Sequence, residues 1–415
     1  MVLDADVPKL EAAIARLWDL AVAGGLRPRP TAFEVVPSTV MYEVAAYGLP
    51  GRFSHWSHGK AYQMMKNQYD LGLARYFELV INSDPAQAFL LENNDLLTNT
   101  LVVAHVLGHT DFFAHNAHFA PAPTKMPELV SVHAQRLRAY QSIHGRDKVE
   151  AFLDALLTIE EHVDPRAEEG GEGRDLLLFL TRYAVHLADW QRDVAEMLRQ
   201  EALYFRPQLR TKVMNEGWAT LWHARLLRQL DLGDRDYVNF ARLNAMVRSP
   251  DPGRLNPYLL GVSIFEDILE GFGEEEGLRR CMDIRAWEDD VAFIRNHFTP
   301  GVAERIDAFV YGFRPDLAGG GSWTVMTKDF EAVRDALVTQ LENGGRPVIE
   351  VVDRDWERSG ALYLRHGHDG RDLDLGDAQH VLRRIALVWG RRVHLETVSD
   401  RKRHVLTADP DGAAC

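Results

Sequence analysis

The chain has 415 residues, of which 46% are hydrophobic and 26% charged, enough to bury a large core and long enough for two domains. A formal net charge of −14 argues against nonspecific nucleic-acid binding, which favours a basic surface. The only cysteines are Cys281 and Cys415, so neither a disulfide framework nor a cysteine-based zinc site is expected.

Asp6 to Ala23 has the apolar spacing of an amphipathic helix and is closed by Gly24-Gly25. A stretch rich in Pro, Gly and Ser runs on to Arg52, with one apolar segment from Phe33 to Tyr47. Trp56 to Ile81 reads as one long helix. At its end, Asn82-Ser83-Asp84-Pro85 combines a cap with a proline opening the next helix. Helices are expected over Asn94–His115, Val130–Tyr140 and Val149–Ile159, and residues 164–174 read as a charged, glycine-rich surface loop. Trp190–Phe205 and Val213–Leu230 read as two helices joined across Arg206-Pro207. After Gly319-Gly320-Gly321 the character changes: Phe330–Glu342 is helical, Pro347–Asp353 and Ala361–His366 alternate like strands, Gly376–Trp389 is helical and Arg392–Thr397 is a strand. The polar tail beyond His404 reads as frayed. The fold class is therefore mainly α, with a helical domain over 1–318 and a small C-terminal α/β domain over 322–408, the glycine run acting as a flexible junction. The N-terminus lacks the pattern of a secretory signal, and no apolar run approaches the roughly 18–20 residues of a membrane span. A soluble cytoplasmic protein is the expectation.

The chemistry concentrates in Ala104-His105-Val106-Leu107-Gly108-His109 and Asn215-Glu216-Gly217-Trp218-Ala219. Two histidines four apart project from one helix face, one turn above the other, as binding of a single metal ion requires. A carboxylate from a second helix, Glu216, completes a three-ligand site with an open position. This arrangement resembles the gluzincin zinc peptidases, in which an H-x-x-x-H helix is followed by a helix opening Asn-Glu-Gly. The resemblance implies a zincin-like helical domain. The chain departs from that pattern at Val106, where those peptidases carry the glutamate that serves as general base. Two imidazoles and one carboxylate suit a divalent metal, Zn2+ first, and equally ferrous iron or manganese. The bland alternative is that His105 and His109 are hydrogen-bonded core residues; Glu216 weighs against it, because a glutamate inside an apolar segment needs a partner.

A hydrolase on such a site needs a carboxylate or imidazole to take the proton of its water, and Val106 cannot. Glu201 comes first, on what reads as an inward helix face between Leu198 and Leu203; its alternative is a helix carboxylate paired with Arg199 or Lys212. His223 comes second, seven residues and two turns beyond Glu216 on the same face, and Glu161 third. Asp111 is placed either to orient an imidazole or to cap a helix end. His115 and His118 read as surface or supporting residues, Cys281 as a small buried hydrophobe, and Glu274-Glu275-Glu276 as solvated surface. No P-loop, dinucleotide fingerprint or serine-hydrolase elbow is present.

Several blocks share their order with one known family: Tyr69-Asp70-Leu71-Gly72-Leu73, Glu78-Leu79-Val80-Ile81-Asn82, His105 to Asn116 with Asp111-Phe112-Phe113, Met214 to Ala219 with Trp222-His223, Asn256-Pro257-Tyr258, Phe265-Glu266-Asp267, and Trp389-Gly390-Arg391 with Val393-His394-Leu395-Glu396-Thr397. Over nearly its whole length the chain resembles the stage V sporulation protein R (SpoVR) family. The resemblance implies a bacterial protein associated with the spore cortex in sporulating species, and often encoded beside a serine protein kinase. With the metal motif it suggests a metal-dependent hydrolase of peptide or amide bonds, acting on peptide or peptidoglycan-precursor-like material. The competing reading is a non-enzymatic regulatory or scaffold protein with a structural or vestigial metal, working with that kinase. Val106 favours the second, and the open three-ligand set favours the first.

Overall fold

The computed structural model describes residues 6–70, 78–167, 172–250, 255–315 and 321–410. Helix α1 (Val7–Ala23) is followed by strand β1 (Thr31–Val36) and helix α2 (Ser38–Tyr47), so the expected single apolar segment is a strand and a helix. Helix α3 covers Trp56–Asp70, and the chain re-emerges as strands β2 (Glu78–Ile81) and β3 (Ala86–Leu91). The long helix expected over Trp56–Ile81 therefore stops early, and Pro85 opens no helix. Leu79-Val80-Ile81 is a short, β-branched apolar run, and such a run pairs more readily as a strand than it extends a helix. Of the Tyr69–Leu73 block, Leu71, Gly72 and Leu73 lie outside the described residues.

Helix α4 (Leu96–His115) is capped by Asp95, whose side chain accepts the Thr98 N–H. Helices α5 (Met126–His144), α6 (Arg146–Leu157), α7 (Leu176–Tyr183), α8 (Asp189–Arg210) and α9 (Lys212–Leu227) follow. Arg206-Pro207 is no junction: α8 runs through Pro207, which removes one backbone donor near the helix end without breaking it. Residues 168–171 of the expected surface loop lie outside the described residues. Next come α10 (Asp234–Val247), α11 (Pro257–Phe272), α12 (Glu274–Trp287), α13 (Asp290–His297) and α14 (Pro300–Arg305). The chain continues with β4 (Val310–Pro315), β5 (Gly321–Thr327), α15 (Phe330–Leu341), β6 (Ile349–Trp356), β7 (Ala361–His366), α16 (Leu375–Trp389), β8 (Val393–Ser399) and β9 (Lys402–Ala408). The tail expected to fray is strand β9, paired antiparallel with β8 from Ser399↔Lys402 to Val393↔Ala408. Its alternating polar residues are the solvent side of an edge strand.

Two compact units share the chain. The first takes in residues 1–50, 56–125 and 208–341, the second 51–55, 126–207 and 342–415. In the first, α4 is buried on every side from Thr98 to Phe113, as its all-round apolar character requires. Helices α1, α9 and α11 surround it with Leu17, Trp218, Trp222, Ile264 and Phe265. A three-stranded sheet of order β1-β3-β2 belongs to this unit, with β1 parallel and β2 antiparallel to the central β3. In the second unit, the sheet β6-β7-β8-β9 has α16 as the crossover between parallel β7 and β8. Leu362, Leu364, Val393 and Leu395 from that sheet share one core with Leu153, Leu156, Phe179 and Leu198 from α6, α7 and α8.

This division does not fall at 318–322. Gly319 and Gly320 lie outside the described residues, but Gly321 opens β5, the hairpin partner of β4, and Val333 and Val338 of α15 enter the core of the first unit. The physical reason is burial. Ala361 to Leu364 of β7 is buried on both faces, more than a sheet covered by one helix can provide, so the α/β segment packs on helices from 126–207. Among the described residues no helix is long and apolar enough to cross a membrane.

Candidate metal centre

Close helix crossings position the site. A Cβ on Gly108 of α4 would fall 2.6 Å from the Ala219 Cα of α9, so the two backbones nearly touch one residue before His109. At the next crossing, Gly217 of α9 faces Gly261 of α11, beside Glu216. Helix α9 begins on a buried carboxylate: Asp290 accepts the N–H groups of Val213 (2.9 Å) and Met214 (2.9 Å). Asn256 caps α11, accepting the N–H groups of Tyr258 and Leu259, with Pro257 in the first turn. The Asn256-Pro257-Tyr258 block thus starts a helix and delivers Tyr258 to the site, its ring stacked on the His105 imidazole at 5.9 Å and 28°.

The structure brings His105, His109 and Glu216 together and adds Glu78, one ligand atom from each lying within 4.8 Å of all the others. His105 Nε2 lies 3.4 Å from Glu78 Oε1 and 3.6 Å from Glu216 Oε2, and His109 Nε2 lies 3.5 Å from Glu216 Oε2. These gaps exceed hydrogen bonds but would let one cation sit among the atoms. His105 Nε2 and Glu216 Oε2 are buried with no hydrogen-bond partner among the described residues, an expensive state unless something binds there. The outer ring nitrogens are engaged: His109 Nδ1 lies 2.9 Å from Asn215 Oδ1, and His105 Nδ1 lies 2.9 Å from His223 Nδ1. The residues fit a divalent ion on this donor set.

Electrostatics divide the four groups. Burial and then the neighbouring His105 push His109 down to about 4. Burial also works against charge on His105, but Glu78 and Glu216 outweigh it and raise its pKa. Glu216 is held below the usual carboxylate range because His105, His109 and Lys212 overcome the opposing effect of burial. Glu78 is raised, chiefly by burial. Burial, with the charges of Glu216 and Glu78, pushes the Tyr258 hydroxyl well above its ordinary value.

The other expected residues fall elsewhere. Glu201 is not in this group: it belongs to the second unit, where Oε2 accepts from Arg52 Nε (2.6 Å) and Oε1 lies 2.9 Å from His133 Nδ1. It is buried as expected, and both of its carboxylate oxygens are engaged by Arg52 and His133 rather than by the histidine pair. Glu161, also of the second unit, pairs with Arg346. His223 approaches the site but has no free nitrogen, since Nδ1 meets His105 and Nε2 lies 3.0 Å from Asn244 Oδ1. Asp111 faces the His115 imidazole, with Oδ1 3.4 Å from Nδ1, rather than His109, and accepts from Trp218 Nε1 (3.0 Å), Arg285 Nη1 (2.8 Å) and the Arg27 N–H (2.8 Å). His115 Nδ1 lies 2.8 Å from the Asp111 carbonyl oxygen, and Cys281 is fully buried.

Sequence reasoning missed Glu78 because it treated that residue as the end of a helix. The signal was present: Glu78 opens a short apolar run bounded by Asn82-Ser83-Asp84-Pro85, which marks a strand as well as a helix end. Asn215, Asn244 and Tyr258 were also missed as supporting groups.

Asp290 provides a pH test. Burial raises its pKa to about 8, above the ordinary 3.8 of the unfolded chain. Between those values the folded state keeps a proton that the unfolded state releases, so this group's contribution to stability falls as pH rises through the window. The stability of wild type relative to Asp290→Asn should therefore decline from about pH 4 to about pH 8, read by denaturant melts at each pH. A pH-independent difference would show that Asp290 does not titrate there.

A mainly helical chain with a buried His/Glu group of metal-ligand type is the class of protein that fold and site define. Residues 4–173 and 168–346 match the family described as SpoVR like protein, and residues 347–400 match the SpoVR-like C-terminal domain. The chain belongs to the SpoVR family. It is similar to the uncharacterized protein YcgB of Escherichia coli (strain K12), 27% identical over 93% of this chain and 91% of that protein. No solved structure matches it.

Proposed function

We propose that this protein is a metal-dependent hydrolase of peptide or amide bonds, with a zincin-like site holding Zn2+. The observation that carries the reading is the convergence of His105, His109, Glu216 and Glu78 on one point, two of their buried atoms having no hydrogen-bond partner among the described residues. His105, His109 and Glu216 would hold the ion. A divalent ion there supplies Lewis-acid polarisation of a carbonyl and lowers the pKa of water. Glu78 takes the role that Val106 cannot: it is a carboxylate at the group's edge, and burial raises its pKa toward the range useful for receiving and returning a proton. Tyr258, stacked on His105 and kept protonated, is a neutral donor for an oxygen that gains negative charge. The family's association with the spore cortex points to peptidoglycan-precursor-like material as substrate, met in the cytoplasm.

Val106 supports a second reading. It is fully buried in the core, so the usual base position is filled by packing, as in a regulatory or scaffold protein that keeps a structural metal and works with a serine protein kinase. Hydrolysis of peptidoglycan-peptide fragments, assayed with and without a chelator, separates the two. Amide cleavage lost on chelation and restored by Zn2+ supports the hydrolase. Tightly held metal with no cleavage supports the scaffold.

A further inference from the structure

We infer that Asn244 and His223 form a directional hydrogen-bond relay that fixes a proton on His105 Nδ1, so that Nε2 is the ring nitrogen left to face Glu78 and Glu216 and to take a cation. Asn244 is thus a positioning residue for the metal group, contributed by α10, a helix of which only Phe240 is buried. Asn244 Oδ1 lies 3.0 Å from His223 Nε2, and an amide oxygen only accepts, so His223 carries its proton on Nε2 and donates it. A neutral imidazole has one N–H, which leaves His223 Nδ1 as an acceptor. That atom lies 2.9 Å from His105 Nδ1, which must then donate. His105 and His223 are 2% and 0% exposed, so the relay lies away from bulk solvent.

The reverse direction would put a proton on His105 Nε2. A buried N–H aimed at two carboxylates closes to about 2.7–3.0 Å. The carboxylate oxygens instead stand 3.4 and 3.6 Å away, and His105 Nε2 has no hydrogen-bond partner among the described residues. That geometry leaves Nε2, and not Nδ1, as the nitrogen open to a cation. Asn215 Oδ1 does the same for His109 in a single step at 2.9 Å. His109 is therefore set from its own neighbouring helix, whereas His105 is set from two helices away.

The inference rests on the proposed metal site only for its consequence in metal affinity; the tautomers are a property of the metal-free protein. Nitrogen-15 NMR of histidine-labelled, metal-free protein should show His105 protonated on Nδ1 and His223 on Nε2. Asn244→Asp keeps an acceptor at the end of the relay and should preserve both tautomers and Zn2+ affinity. Asn244→Leu removes the acceptor and should mix the His105 tautomers and weaken Zn2+ binding 10- to 100-fold. A wild-type His105 protonated on Nε2 would overturn the relay, as would equal weakening by the two variants. Should the tautomers be as stated while the protein binds no Zn2+, the relay stands and the metal-centre reading fails.

Discussion

Replacing His109 by alanine should leave the purified protein without bound divalent metal, while wild type retains about one equivalent. His109 Nε2 and His105 Nε2 both face Glu216, 3.5 and 3.6 Å away, so removing either ring removes a ligand rather than an outer support. The loss in affinity should exceed the 10- to 100-fold that follows deletion of an outer hydrogen-bond partner. Glu216→Gln should weaken binding comparably, because an amide keeps the shape but not the charge. His368→Ala is the control: that ring is on an exposed loop of the second unit, beside Asp372. Metal analysis of the four proteins, with thermal melts in excess Zn2+, reads the result. Zinc at a thousand times its dissociation constant should add about 4 kcal/mol to wild type and little to His109→Ala. Equal metal in wild type and His109→Ala would refute the site.

Gly261→Ala should be among the most damaging single substitutions in the first unit. Its Cβ would lie 2.1 Å from the Val213 carbonyl oxygen and 2.8 Å from the Gly217 Cα, both backbone atoms that cannot rotate away. Helices α9 and α11 would have to separate, at a cost of about 3 kcal/mol or more, or a fall in Tm of roughly 6–12 °C. Metal affinity should fall too, since the same separation moves Glu216 from Tyr258. Gly271, on the same helix, has open space where its Cβ would be, so Gly271→Ala should be neutral or slightly stabilising. Differential scanning calorimetry of the pair decides the matter: similar Tm values would mean that the crossing is not tight.

The His105–His109–Glu216 convergence was legible because helical spacing fixes which residues share a face, and spacing is written in the sequence. The helices themselves were largely legible for the same reason: α4 is apolar on every side, and α16 has a strongly one-sided pattern. Glu78 was not, because a four-residue strand carries too little periodicity to be told from the end of a helix, and its partner β3 follows only after Pro85. Nor was the fate of Glu201. An inward-facing carboxylate must have a partner, but the sequence does not say whether that partner is a metal or Arg52, which is 149 residues away. The unit boundaries were hidden for a related reason: a glycine run marks a flexible place in the chain, whereas a unit is defined by which apolar faces cover one another.

The interleaving of the two units constrains synthesis. Helices α1 and α4 leave the ribosome early, yet α9, α11 and α15, which complete their core, come after residue 208. At typical elongation rates the wait from residue 125 to residue 341 is roughly 10 to 40 s. For that time the all-round apolar helix α4 lacks its main neighbours, while the intervening segment begins a second core that cannot close until residues beyond 342 arrive. The nascent chain therefore carries uncovered apolar surface for that interval, and neither unit can be isolated by cutting the chain at a single point.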